Sequence, residues 1–130
     1  MAITFNHTIV AAADRAESAA FFTEIFGLPP AKEFGPFLAV ELNHGVSLDF
    51  AQLPGVADIR PQHYAFLVSE EEFDAIYGRI RDRGLAHWAD PQMRYPDEIN
   101  HHDGGRGVYF TDPGGRRVPV TARPSGVVLK

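Results

Sequence analysis

The residues of this chain best suited to chemistry sit at matching places in two halves. His7 follows Asn6, and 56 residues further on His63 follows Gln62, each near the start of a strand-like run. Asp49 lies in the Gly-led run that ends the first half, and Pro119 holds the matching position in the second. Two imidazoles and a carboxylate are a standard donor set for a divalent metal, because neutral imidazole nitrogen and carboxylate oxygen both coordinate at about 2.0–2.2 Å and leave positions open. Proline offers no side-chain donor, so one of the four matched positions is chemically silent. A structural reading stands beside the metal one: strand histidines also serve as hydrogen-bonded parts of a fold, and Asp49 is equally able to bond nearby backbone or Arg117.

Other chemistries are narrowed by what the chain lacks. With no cysteine there is no disulfide framework, thiolate metal site or cysteine nucleophile. Nothing resembles a nucleophile elbow with its partners. Gly104-Gly105-Arg106-Gly107 has no strand before it and no helix after it, which removes a phosphate-loop reading. A net charge of −5 without a basic run argues against nucleic acid as a partner. The 130 residues, 45% hydrophobic and 22% charged, suit one globular domain, residues 1–130. No apolar run reaches about 18 residues and the N-terminus lacks a basic region followed by an apolar stretch, so neither a membrane span nor a signal peptide is expected, and the cytoplasm is the expected compartment.

The elements that must position these residues follow from period and punctuation. Residues 3–10 alternate as a strand, and Asp14-Arg15-Ala16-Glu17 resembles a capping box opening a helix with Ala19, Phe22 and Ile25-Phe26 at helical spacing. Gly27 stops that helix and Pro29-Pro30 bar its continuation. Strands at 37–42 and 46–51 turn on Asn43-His44-Gly45. The second half repeats the order, with a strand at 62–68, a Ser69-x-x-Glu72 box, a helix carrying Phe73, Ile76-Tyr77 and Ile80, and a stop at Gly84. Trp88 sits on a short strand. Residues 90–105 read as a long polar loop, of a length that is usually functional or mobile, and His101-His102 within it read as solvated. Strands 107–111 and 116–122 turn on Asp112-Pro113-Gly114-Gly115, and the tail 123–130 is expected to be loosely held.

Strand parity then sorts the side chains. A shift of 70 residues sets Leu38 and Val40 on Val108 and Phe110, and Leu48 and Phe50 on Val118 and Val120. These apolar residues should face the helices. The other parity presents Phe5, His7, Phe37, Glu41 and Asp49 from the first half and His63, Tyr109, Arg117 and Pro119 from the second, as a shared concave surface. Polar residues there would be odd in a packed core and suit a cup that holds a ligand.

These features together resemble one family. Two βαβββ halves, a histidine near the middle of the first and fifth strands, Phe26-Gly27-Leu28 after the first helix, and the run Gly107 to Gly115 (GVYFTDPGG) are similar to the vicinal oxygen chelate superfamily over about residues 3–124. That family includes glyoxalase I, extradiol dioxygenases, fosfomycin-modifying enzymes and metal-free bleomycin resistance proteins. The resemblance implies an α+β fold of two paired βαβββ modules, about 3–51 and 61–122, forming a cup-shaped, mostly antiparallel sheet with helices outside. It also implies metal positions at His7, Asp49, His63 and Pro119, the last typically glutamate in the family's metalloenzymes.

Two functions follow as expectations. The leading one, closest in character to the metal-free branch, is a protein that sequesters a bulky aromatic or hydrophobic compound such as an antibiotic, conferring resistance without chemistry or cofactor. Trp88, Tyr109 and Phe37 would stack on the ligand, Phe5 and Pro119 would line the cup, and Asp49, Arg117, His7 and His63 would orient it. The alternative is a glyoxalase- or dioxygenase-like enzyme with one divalent metal (Fe, Mn, Ni, Co or Zn) on His7, His63 and Asp49, and with Glu41 or Tyr109 moving protons. A scaffold that kept the fold without a ligand is the third possibility. A homodimer is expected by likeness to family members of this length.

Overall fold

Apolar alternation in each half gives strands with one helix-facing side, and a capped helix covers that side. The computed structural model describes residues 3–52, 62–113 and 117–122. The elements are β1 (His7–Ala12), α1 (Arg15–Phe26), β2 (Lys32–Phe34), β3 (Phe37–Glu41), β4 (Ser47–Gln52), β5 (Phe66–Val68), α2 (Glu70–Asp82), β6 (His87–Trp88), β7 (Arg106–Thr111) and β8 (Arg117–Ala122). The chain divides into two compact units, Met1–Arg60 and Pro61–Lys130. The first holds a four-stranded sheet in the order β1-β4-β3-β2, the second one in the order β5-β8-β7-β6. In both sheets the helix crossover makes the first pair parallel and the hairpins make the others antiparallel. This is the expected α+β fold built from repeated βαβββ units. None of the described helices is long and apolar enough to cross a membrane.

Both helices begin and end where their sequence signals lie. Asp14 accepts a hydrogen bond from the Glu17 backbone N–H at 3.1 Å, which supplies one half of the expected box. Ser69 and Glu72 complete the reciprocal box on α2 at 3.1 and 3.0 Å. Gly27 ends α1 in the left-handed region, φ 68°, with its N–H on the Thr23 carbonyl.

The two cores follow strand parity. Val10, Val40, Leu48 and Phe50 are buried with Ala19, Phe22 and Ile25 of α1 in the first unit, and Val108, Phe110, Val118 and Val120 with Phe73, Ile76 and Ile80 of α2 in the second. Truncating a fully buried phenylalanine such as Phe73 to alanine costs about 3–5 kcal/mol. Arg106 ties the second layer together. Its guanidinium donates to Glu70 Oε2, Asp74 Oδ1 and the Glu70 carbonyl and lies 4.5 Å from the Phe73 ring centroid, so β7 is fastened to the start of α2.

Besides the first strand, which spans His7–Ala12 and not 3–10, three features depart from expectation. First, β2 was not anticipated: it is a three-residue exposed edge strand, with too little alternation to be seen. Second, the strand expected at 62–68 is confined to Phe66–Val68, and His63 forms only an isolated bridge. The register explains the loss. Phe66 pairs with Val120, so continuing one residue back sets Ala65 against Pro119, whose nitrogen carries no proton for a ladder. In the first unit, where Asp49 holds the matching place and pairs with Ile9, the parallel ladder runs six residues from His7 to Ala12.

Third, loop 90–105 is tethered by its own hydrogen bonds and bridges. Asp90 Oδ1 accepts the backbone N–H groups of Arg94 and Tyr95, its Oδ2 accepts Arg94 Nε, and bridges join Trp88 to Pro96 and Asn100 to Gly107. His101 and His102 within it are exposed, as expected. Gly114 and Gly115 of the last turn and the tail 123–130 lie outside the described residues.

Candidate functional site

The face of the first sheet turned away from α1 is ordered by register into rows. His7 pairs with Ser47, and Ser47 with Glu41 on its other side. The next row runs Ile9, Asp49, Ala39, Lys32, and the next Ala11, Ala51, Phe37, Phe34. His7 and Asp49 are therefore diagonal neighbours on one face, as parity required. Phe5 precedes β1 and is 62% exposed, Phe37 is half-buried and Glu41 is exposed.

The hydrogen bonds of these two donors decide what each can offer. His7 Nδ1 is 2.6 Å from Asn6 Oδ1. An amide oxygen can only accept, so Nδ1 carries a proton, and it is the neutral ring in this tautomer that offers an Nε2 lone pair to a metal. Asp49 is 7% exposed, and its Oδ1 accepts from the Ser47 hydroxyl at 2.9 Å. That bond holds one carboxylate oxygen and leaves Oδ2 for a ligand. The donor is the Ser47 side chain, whereas the alternative expected for Asp49 named nearby backbone or Arg117.

In the second unit the corresponding face carries an aromatic row. Tyr109 pairs with Trp88 on one side and with Pro119 on the other. The His63 ring lies 6.3 Å from the Tyr109 ring, centroid to centroid, tilted by 59°. Trp88 and Tyr109 are half-buried, and His63 and Leu67 are exposed. The backbones of Arg117 and Pro119 belong to β8, while their side chains lie outside the described residues, as does any bond between Arg117 and Asp49. Within either unit, no group of three or more His, Cys, Asp or Glu among the described residues is gathered to hold a metal.

Sequence reasoning passed over three polar residues of this unit. His87 is buried on the α2 side of the sheet, where its Nδ1 faces the Leu85 carbonyl at 3.0 Å and its Nε2 faces the Tyr77 hydroxyl at 3.2 Å. The carbonyl fixes the proton on Nδ1, so Tyr77 donates to Nε2 and the ring is committed to the fold. Asp90 is the second. Burial opposes its charge, but the Arg94 side chain and the Tyr95 and Arg94 backbone N–H groups outweigh it and hold its pKa below the usual carboxylate value. Asn100 is the third: it donates to the Ala89 carbonyl at 2.8 Å and accepts from the His102 N–H at 3.3 Å. Asp90 and Asn100 thus brace the segment beside Trp88. Only an Asp four residues before an Arg was visible in the sequence as a signal.

The model of the Glyoxalase/Bleomycin resistance protein/Dioxygenase superfamily matches residues 4–120. The chain belongs to this superfamily, the vicinal oxygen chelate proteins. Two solved structures resemble this vicinal oxygen chelate protein along nearly its whole length. "Oxidase ChaP-H1" is 56% identical, covering 97% of this chain and 100% of that one with a TM-score of 0.91. "Oxidase ChaP-H2" is 55% identical, covering 97% and 98% with a TM-score of 0.90. A glyoxalase/dioxygenase from Nostoc punctiforme, 22% identical over 94% of this chain and 92% of that one, shares the fold with a TM-score of 0.70. No curated protein matches.

Taken one by one, three side chains offer metal-donor atoms. His7 presents a free Nε2 lone pair, Asp49 a free Oδ2, and His63 an exposed imidazole. Proline at position 119 adds no side-chain donor.

Proposed function

We propose that this protein is an oxidase of the vicinal oxygen chelate superfamily, acting on an oxygen-bearing small organic molecule with dioxygen as electron acceptor. The observation that carries this reading is the 55–56% identity, over nearly the full chain, to two proteins named oxidases. Sequence kinship at that level favours chemistry over the sequestration expected first.

His7, Asp49 and His63 would hold the metal. Two imidazoles and one carboxylate with open positions are the donor set of non-haem iron(II) sites, so iron(II) is the first metal to test. Bound there, the metal supplies Lewis acidity and a one-electron couple. The chain's own residues do the rest. Asn6 keeps His7 in the ligating tautomer, and Ser47 keeps Asp49 in a single orientation. Trp88 and Tyr109 offer flat apolar area for a ring-bearing substrate. Glu41 or Tyr109 would accept or pass protons.

Sequestration of an aromatic compound remains a second reading, supported by the exposed apolar surface at Phe5, Ile9 and Leu67, 51–62% accessible, which binding would cover. It uses the same residues without metal. On either reading a homodimer and a small-molecule partner are proposed.

Metal titration of untagged protein, with Fe(II), Mn, Co, Ni and Zn in turn, separates the two. The oxidase reading expects about one metal per chain, lost in His7→Ala and in His63→Ala, and oxygen uptake that a chelator stops. A protein indifferent to every metal sinks it and leaves sequestration. Pro119→Glu adds a check, since restoring the fourth donor should tighten metal binding if the other three are placed as proposed.

A further inference from the structure

Beside Asp49, on the same sheet face, the first unit has a recess of about 230 Å³ lined by Pro29, Pro30, Lys32, Ala39, Glu41 and Leu42. Its floor is Ala39, the cross-strand partner of Asp49 on one side and of Lys32 on the other. Lys32 and Glu41 stand diagonally across that floor on adjacent strands, at the roughly 7–8 Å expected of such positions. No described ion pair or side-chain hydrogen bond uses either residue. A methyl floor, a proline wall, one cation and one carboxylate thus surround an open volume. An edge-strand lysine also discourages sheet-to-sheet pairing, but that role needs only the charge and is indifferent to the shape of the recess.

We propose that this recess is a subsite for an anionic oxygen with a neighbouring hydroxyl on the same ligand. The Lys32 ammonium takes the carboxylate or phenolate oxygen, Glu41 accepts the hydroxyl proton in a hydrogen bond, and Ala39 with Pro29-Pro30 meets the apolar body. On a chain of net charge −5, an unpaired lysine in a concavity selects for acidic ligands. Strand spacing of about 4.8 Å puts Lys32 about 10 Å from Asp49, two strands away. If the reacting oxygens lie at His7 and Asp49, the substrate carries its acidic group about that far from them. That last step rests on the oxidase reading, while the subsite itself needs no metal.

The test uses chelator-treated full-length protein and two probes, 3-hydroxy-2-naphthoate and 2-naphthol, measured by calorimetry. The expected result is that the naphthoate binds at least about tenfold more tightly than the naphthol, as a charge-assisted contact should give. Lys32→Met should erase that preference and Lys32→Arg keep it. Ala39→Leu, which leaves both charges and fills the floor, should abolish binding of the naphthoate. If Ala39→Leu fails to fold, Glu41→Gln replaces it and should weaken both probes, since each carries the hydroxyl that Glu41 accepts from. Equal binding of the two probes, no binding of either, or an unchanged preference in Lys32→Met overturns the subsite. Naphthoate preference in a protein that ignores every metal keeps the subsite and overturns the oxidase reading instead.

Discussion

Ser47 and Asp49 stand two residues apart on one face of β4, and the serine hydroxyl donates to Asp49 Oδ1 across 2.9 Å. The carboxylate is 7% exposed, so water is a poor substitute for that donor. Removing the hydroxyl strands a buried acceptor, which costs about 1–3 kcal/mol. Ser47→Ala should therefore lower the urea midpoint by that equivalent and weaken metal binding through a freer carboxylate, while Ser47→Thr should recover most of both. Unchanged stability and metal affinity in Ser47→Ala would show that the bond carries neither role.

Asn6 sets the tautomer of His7 from an exposed position, so its effect on metal binding separates from its effect on folding. Losing the partner of a ligating histidine typically costs about 10–100-fold in metal affinity. Asn6→Leu is expected to show such a fall with an unchanged unfolding midpoint. Equal affinity in the variant and the parent would mean that His7 is not held for a metal.

Gly107 is required by space. A Cβ at this position would come within 2.8 Å of both Nδ2 and Oδ1 of Asn100, whose amide braces the loop to Ala89 and His102. Gly107→Ala should displace that amide and cost about 2–3 kcal/mol, within the range of lost buried hydrogen bonds and overpacking. In the Asn100→Ala background the same substitution should cost clearly less, because the clash and the bonds are already gone. Additive losses in the double variant would disprove the coupling.

Asp90 predicts an acid limit for loop 90–105. Its native pKa is lowered, so its contribution is fully present above the ordinary value of 3.8 and is lost as pH falls through the still lower native value. Trp88, the single tryptophan, is bridged to Pro96 within this segment and reports on it by fluorescence. The parent should show an emission change below about pH 3.8 that Asp90→Asn shows already at neutral pH. Matching acid profiles for the two proteins would rule out this carboxylate as the tether.

Much of this architecture was written locally. Ser69 and Glu72 announce a helix start because a capping box needs only four residues, and Gly27 announces a stop because left-handed backbone favours glycine. Period two told which residues share a face, so His7, Glu41 and Asp49 were correctly put together on one sheet. The substitution of Pro119 for a donor was legible too, since it needs only the repeat.

What only the tertiary structure decided depends on partners distant in the chain. The edge strand at Lys32 exists through its pairing with Ala39, and the shortening of β5 follows from the register that brings Pro119 toward Ala65. The tethering of loop 90–105 rests on one carboxylate gathering two backbone N–H groups and a guanidinium. A sequence carries the period that orients a side chain and the punctuation that ends an element. It does not carry the register between strands, and register is what placed a recess next to Asp49 and a tyrosine beside His63.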